Sequence, residues 1–188
     1  MVGLHDSVTE FFHEAVTSAL KSTQVGAADA TEFYLVNLLV EFTKTSKVDE
    51  EPLALKLAQA LGASPEERVR ALREIGDTSL YVSGFFAESL THKLIDVDYY
   101  IAMGGSAYGQ LSRAGAPPTA LREAWGELSD KFRAYVDVLN EIRASTNVAG
   151  STNVLRLCEE WVKTGSEWLE KRLRASGIVA LDGKKTTH

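Results

Sequence analysis

Leu121, Trp125, Leu128, Phe132, Tyr135, Leu139 and Ile142 follow one another at steps of 4, 3, 4, 3, 4 and 3 residues. Side chains at that spacing share one side of a helix and cannot share one face of a strand, where the period is two. The seam is about three heptads long, the pattern with which nearly parallel helices interlock. It is too short and too aromatic for a free-standing coiled coil, so a helix inside a bundle is expected, over about 119–145. A second helix over about 152–175 offers a compatible face in Val154, Leu155, Cys158, Trp161, Val162, Leu169 and Leu173. The two predict an antiparallel C-terminal hairpin that completes the bundle or forms a dimer seam.

Helix start signals recur upstream. Ser64, Pro65 and Glu67 combine a cap serine, a proline at the first helical position and a glutamate at the third, which is the strongest start in the chain. Ser7 with Glu10 reads as another capping box, and Asp29 with Glu32 as a weaker one. Pro52 opens a short helix that Gly62 closes. Helices are therefore expected at about 6–22, 29–46, 51–61 and 65–94, the last either running on through Asp96 to Asp98 or breaking there before a further helix that reaches about 113. Gly115 to Pro118 is a stop. Residues 33–42 favour strand by composition, but a solitary strand would have no partner, and a buried helix is the better reading. The fold class expected is all-α: one helical bundle of six or seven helices, mostly antiparallel, over residues 1–178, with a flexible tail at 179–188.

A chain of 188 residues with 45% hydrophobic and 24% charged residues can bury a core without staples. Its net charge of −6 argues against nucleic acid, which calls for a basic face. The basic cluster Lys171, Arg172 and Arg174, with Lys184 and Lys185 beyond, is what a helix C-terminus favours. The one cysteine, Cys158, excludes an intramolecular disulfide and a cysteine-only zinc site. No apolar run reaches the length of a membrane span, and no secretory leader pattern is visible. A cytoplasmic location is expected.

The stretch from Ser79 to Ser112 is where a site would lie. Val82, Phe86, Leu90, Leu94, Val97, Ile101, Gly105 and Tyr108 form one apolar stripe at helical steps, beside a second made of Tyr81, Phe85, Glu88, His92, Tyr99 and Met103. Glu88 and His92 stand one turn apart on this apolar element, where an unanswered charge costs several kcal/mol. They either pair with each other, reach solvent, or face a cofactor.

Glu10 and His13 sit at Glu-x-x-His spacing, which resembles the ligand motif of ferritin-like carboxylate-bridged di-iron bundles. That resemblance implies a metal site built from Glu10, His13, Glu41, Glu88 and His92. The pattern departs from the family, because the second pair has a spacing of four rather than three. Gly104, Gly105 and Gly109 permit close backbone approach, most simply by a neighbouring helix, alternatively by a flat cofactor beside Tyr99. A histidine on the first helix and a glycine-rich later helix resemble the heme-oxygenase-like architecture. That would imply His13 as axial ligand and Gly104 to Gly109 as the distal surface.

Gly104 to Tyr108 falls one residue short of a nucleophile elbow and lacks the strand before it. Cys158 has no histidine near it in sequence and reads as a buried thiol. No complete set of nucleophile, base and oxyanion donors is visible. The function expected first is therefore a non-enzymatic helical binding or scaffold protein, acting as a homo-oligomer or on a protein partner through its seams. The alternatives are a metal- or heme-dependent oxidative enzyme, and a sensor of an apolar small molecule lodged beside Phe85, Phe86 and Tyr99. Between these readings the sequence leaves the cofactor open.

Overall fold

The serine at 64 does what its sequence context requires. Its hydroxyl oxygen accepts from the Glu67 amide, and its own amide donates to the Glu67 carboxylate at 3.1 Å. This closed capping box starts one of seven helices among the described residues, and no strand occurs among them. The computed structural model describes residues 4–44, 51–86 and 96–148. The helices are α1 (Leu4–Thr23), α2 (Asp29–Lys44), α3 (Leu53–Gly62), α4 (Pro65–Phe85), α5 (Val97–Ser112), α6 (Thr119–Asp130) and α7 (Phe132–Val148). The all-α bundle expected from the sequence is the architecture observed. The proposed C-terminal hairpin partner at 152–175, with Cys158, Trp161 and Trp168, lies outside the described residues.

Packing follows from where each helix is apolar. α4 lies along α5 and also touches α3 and α7, α6 packs on α5 and α2, and α1 packs on α2 and α7. α4 and α5 run antiparallel: Gly76 meets Tyr108 while Ser79, further along α4, meets Gly104 earlier on α5. The last three turns of α4 are buried almost all round, with Ile75, Leu80, Tyr81, Val82 and Phe85 in the core. Residues 33–42 are helical, and Tyr34, Leu35, Val36, Leu38, Leu39 and Val40 are all buried. Only the side carrying Phe33 and Glu41 is exposed. No helix among the described residues is long and apolar enough to cross a membrane.

Three local expectations are corrected. α1 begins at Leu4, so Ser7 and Glu10 lie inside it rather than at its start. The helix expected over 119–145 bends once, at Lys131, whose φ and ψ of −114° and 26° leave the helical region. Hydrogen bonds from Lys131 to Glu127 and from Tyr135 to Lys131 carry the chain across the bend. The seam from Trp125 to Ile142 is buried as a core face throughout. The bend lets its first half serve α5 and α2 and its second half α4 and α1.

The third correction concerns the long central stripe. α4 ends at Phe85, with Phe86 at φ −122° and 40% exposed. Asp96 then starts α5 afresh, its carboxylate accepting from the Tyr99 amide at 3.0 Å. A new start resets the helical phase. The face α5 buries is Gly104, Ala107, Tyr108, Gly109 and Leu111, while Ile101 and Gly105, both in the expected stripe, are only partly buried.

α1 closes with Gln24 at φ 57°, the left-handed region that an L residue enters at a cost of about 1 kcal/mol. The Val25 amide reaches back to Leu20 and the Gln24 amide to Lys21, which is the Schellman arrangement that satisfies the last carbonyls of the helix.

Candidate functional site

Asp77, in the middle of α4, is a buried carboxylate. One oxygen, Oδ1, accepts from the Tyr34 hydroxyl of α2 at 2.6 Å and from the Tyr108 hydroxyl of α5 at 2.8 Å. The other, Oδ2, faces Arg73 Nε one turn earlier at 3.4 Å. The Arg73 guanidinium lies 5.7 Å from the centre of the Tyr34 ring and reaches Glu41 at 3.4 Å on the surface. Tyr34 is also the hub of an aromatic cluster, edge-on to Tyr108 and to Trp125 with both centroids 6.2 Å away. Trp125 Nε1 faces the Tyr34 hydroxyl without completing a hydrogen bond of ordinary geometry.

Burial pushes the Asp77 carboxyl up to about 6, against the two phenol donors and Arg73, which pull it down. The same burial, together with the Asp77 charge, drives both the Tyr34 and the Tyr108 phenol well above the usual tyrosine range. These phenols are fixed donors with no role as bases near neutral pH. Asp77, Tyr34 and Tyr108 are buried while Arg73 reaches the surface, and Gly76 admits the Tyr108 ring so closely that a Cβ there would stand 2.6 Å from it. The arrangement joins α2, α4 and α5.

A second carboxylate is tuned the opposite way. Glu127 of α6 accepts from the Thr31 hydroxyl at 2.6 Å, from the Ala28 amide at 3.0 Å and from Lys131 at 2.9 Å. Burial raises its carboxyl, but these three partners outweigh burial and hold it down at about 2. A carboxylate at the first turn of α2 also answers the positive end of that helix. This is the cap that the sequence assigns to Asp29. Glu127→Gln is expected to destabilise the fold by about 1–2 kcal/mol at pH 7. The loss should shrink as pH falls from 4.5 towards 2, where Glu127 itself takes a proton; a variant matching the parent in urea melts at pH 7 would contradict it.

The sequence-derived candidates are dispersed. Glu10 and His13 are exposed on α1, and Glu41 is exposed on α2, where Arg73 contacts it. Glu88 and His92 lie outside the described residues. Among the described residues no group of three or more His, Cys, Asp or Glu side chains is placed to hold a metal ion. Tyr99 is half-buried, and its hydroxyl accepts from the Ala54 amide at 3.1 Å, at the start of α3. Gly104 is covered by protein, since a Cβ on it would stand 2.4 Å from Phe132 Cζ and 2.6 Å from Ser79 Cβ. Gly105 and Gly109 face Ser129 of α6, whose hydroxyl donates to the Gly105 carbonyl at 2.8 Å. The glycines thus let helices pack closely. Near Phe85, the Tyr81 ring is stacked on Phe42 at 4.1 Å.

Open space lies elsewhere. A groove of about 450 Å³ runs between the α3–α4 junction and the end of α5 with the turn that follows it. Ala63, Pro65, Val69, Leu72, Ala114 and Ala116 give it apolar walls, and Arg68, Gln110 and Arg113 are its polar side chains. Arg68 is already employed, donating through Nε to the Ala60 carbonyl at 3.1 Å and through Nη2 to Leu61 at 2.5 Å. It thereby satisfies the last carbonyls of α3. Sequence reasoning missed this groove because it is made from helix ends, whose juxtaposition depends on how α4 and α5 pack.

No protein family, curated protein or solved structure matches the chain.

Proposed function

We propose that this is a non-enzymatic binding protein that takes the apolar body of a small ligand into the groove beside α4 and α5. The observation that carries this reading is the groove itself. Its volume of about 450 Å³ falls in the range of small-molecule sites, and its mostly apolar lining with a few polar groups has the composition of such sites. The buried carboxylate supports it from the other side. Asp77 is fully engaged by Tyr34, Tyr108 and Arg73, as a group that stiffens a core is. The test uses the neutral fluorophore N-phenyl-1-naphthylamine. Its emission should rise with the protein and stay low with Val69→Trp or Ala116→Trp, both of which fill the groove. No enhancement, or enhancement unchanged in both folded variants, would overturn the reading.

Association between copies is a second reading, favoured by the exposed side chains Phe33 at 67%, Leu55 at 49% and Leu61 at 60%. Large apolar side chains left in water mark contact surfaces when they adjoin one another. On this reading the chain forms a homodimer, and light scattering returns twice the chain mass. A cytoplasmic location belongs to the same proposal, in keeping with a chain that has one cysteine.

A further inference from the structure

We propose that the ligand of the groove is an amphiphilic monocarboxylate, its apolar chain on Val69 and Leu72 and its carboxylate on Arg113. This rests on the binding reading above and names the chemical class of its ligand.

The charge balance of the groove supports an anion. Among its ten lining residues two are arginines and none is acidic. Of the two acids adjacent to them in sequence, Glu66 is exposed and not part of the wall, and Glu67 is turned onto the amide and hydroxyl of Ser64. The negative helix ends that border the groove are answered from within. Arg68 takes the last carbonyls of α3, and the amides of Arg113 and Ala114 take those of Gln110 and Leu111 at the end of α5. An entering anion therefore meets no carboxylate on the groove wall.

Arg113 is the group left to receive it. Its guanidinium lies along α5, both Nη atoms 3.8 Å from where a Gly109 Cβ would stand. Among the described residues its side chain has no hydrogen-bond or ion-pair partner, in contrast to Arg68, Arg73 and Arg133. This one guanidinium with open donors presents the fork that a carboxylate accepts in two parallel bonds. A phosphate monoester, at about −1.5 to −2 near neutral pH, calls for donors from more than one cation, whereas Arg68 keeps its charge but spends Nε and Nη2 on the Ala60 and Leu61 carbonyls. Gln110, beside it, supplies a further amide donor to the same rim.

The experiment displaces N-phenyl-1-naphthylamine from the whole chain with octanoate, 1-octanol and octyl phosphate at pH 7.5 and low salt. Octanoate should displace it at about tenfold lower concentration than octanol, the gain of a charge-assisted pair at a partly desolvated rim. Arg113→Gln should bring octanoate back to the level of octanol while leaving octanol unchanged. Because Arg113 is exposed, the variant should melt with the parent, and Arg113→Lys should keep part of the preference. Equal potency of octanoate and octanol in the parent would overturn the carboxylate assignment while the groove reading stands. Octyl phosphate ahead of octanoate would overturn it in favour of a dianion. A failure of the fluorophore to bind at all would sink the groove reading first, and is seen before any competitor is added.

Discussion

Asp77→Ala is expected to remove about 3–5 kcal/mol of stability, a loss as large as truncating a fully buried aromatic side chain. The carboxylate is the acceptor of two buried phenols, and its removal leaves the Tyr34 and Tyr108 hydroxyls without that acceptor. Each orphaned donor costs about 1–3 kcal/mol, and Arg73 loses its inner partner as well. Total stabilities of domains are about 5–15 kcal/mol, so the variant should be near its unfolding limit at ordinary temperature.

Asp77→Asn separates the hydrogen bonds from the charge. The amide oxygen still accepts from both phenols, so this variant should be no less stable than the parent at pH 7. What it should lose is a pH dependence. The folded protein holds the Asp77 proton up to about pH 6, whereas the ordinary value is 3.8. A carboxyl whose folded value is raised contributes most below the unfolded value, and that contribution is lost as pH rises from 3.8 through 6. Two pH units correspond to about 3 kcal/mol. The stability difference between parent and Asp77→Asn should therefore shift by that order between pH 4 and pH 7, against the parent. Urea melts at several pH values read it directly. A difference that stays flat would mean that Asp77 titrates normally and that its burial is tolerated by other means.

Gly84→Ala and Gly104→Ala should each cost about 2–4 kcal/mol despite the gain of about 1 kcal/mol that alanine brings to a helix. A Cβ on Gly84 would stand 2.4 Å from Leu139 Cβ, and one on Gly104 would stand 2.4 Å from Phe132 Cζ and 2.6 Å from Ser79 Cβ. A Cβ is fixed to its backbone, so relief at Gly84 means moving α4 away from α7, and relief at Gly104 means displacing Phe132 and parting α5 from α4. Gly62→Ala is the control, because nothing lies within 4 Å of a Cβ there. It should be neutral or slightly stabilising. Thermal melts that fail to distinguish the three variants would contradict the packing described.

The particular residues show what a sequence can carry. Ser64, Pro65 and Glu67 start α4 because every atom of that device lies within one turn. The seam from Leu121 to Ile142 has a local period, and its side chains duly face the core, Leu121 only in part. The bend at Lys131 has no such signal, since both halves keep the same period and differ only in which neighbours they meet. The start of α2 was legible as a start but not in its cap. Glu127, 99 residues away from Ala28, does what Asp29 was expected to do.

The candidate site was less legible still. Arg73 and Asp77 stand four apart, which reads as an exposed pair. Only the apolar residues on either flank, Leu72, Ile75, Leu80 and Tyr81, hinted that this turn is inside. Nothing in the order of residues couples Asp77 to tyrosines 43 and 31 positions away. The glycines of α5 were legible as places of close approach, and the approaching surface proved to be α4, α6 and α7.

The central claim is that ligand binding belongs to the groove at the ends of α3, α4 and α5, and that the Asp77 cluster serves the fold. Amide chemical shifts of the whole chain, followed during a titration with octanoate, test it most directly. The account predicts shifts at Val69, Leu72, Arg113, Ala114 and Ala116, with Tyr34, Asp77 and Tyr108 unmoved. Shifts centred on Asp77, or on the exposed Phe33 or Leu55, would contradict it.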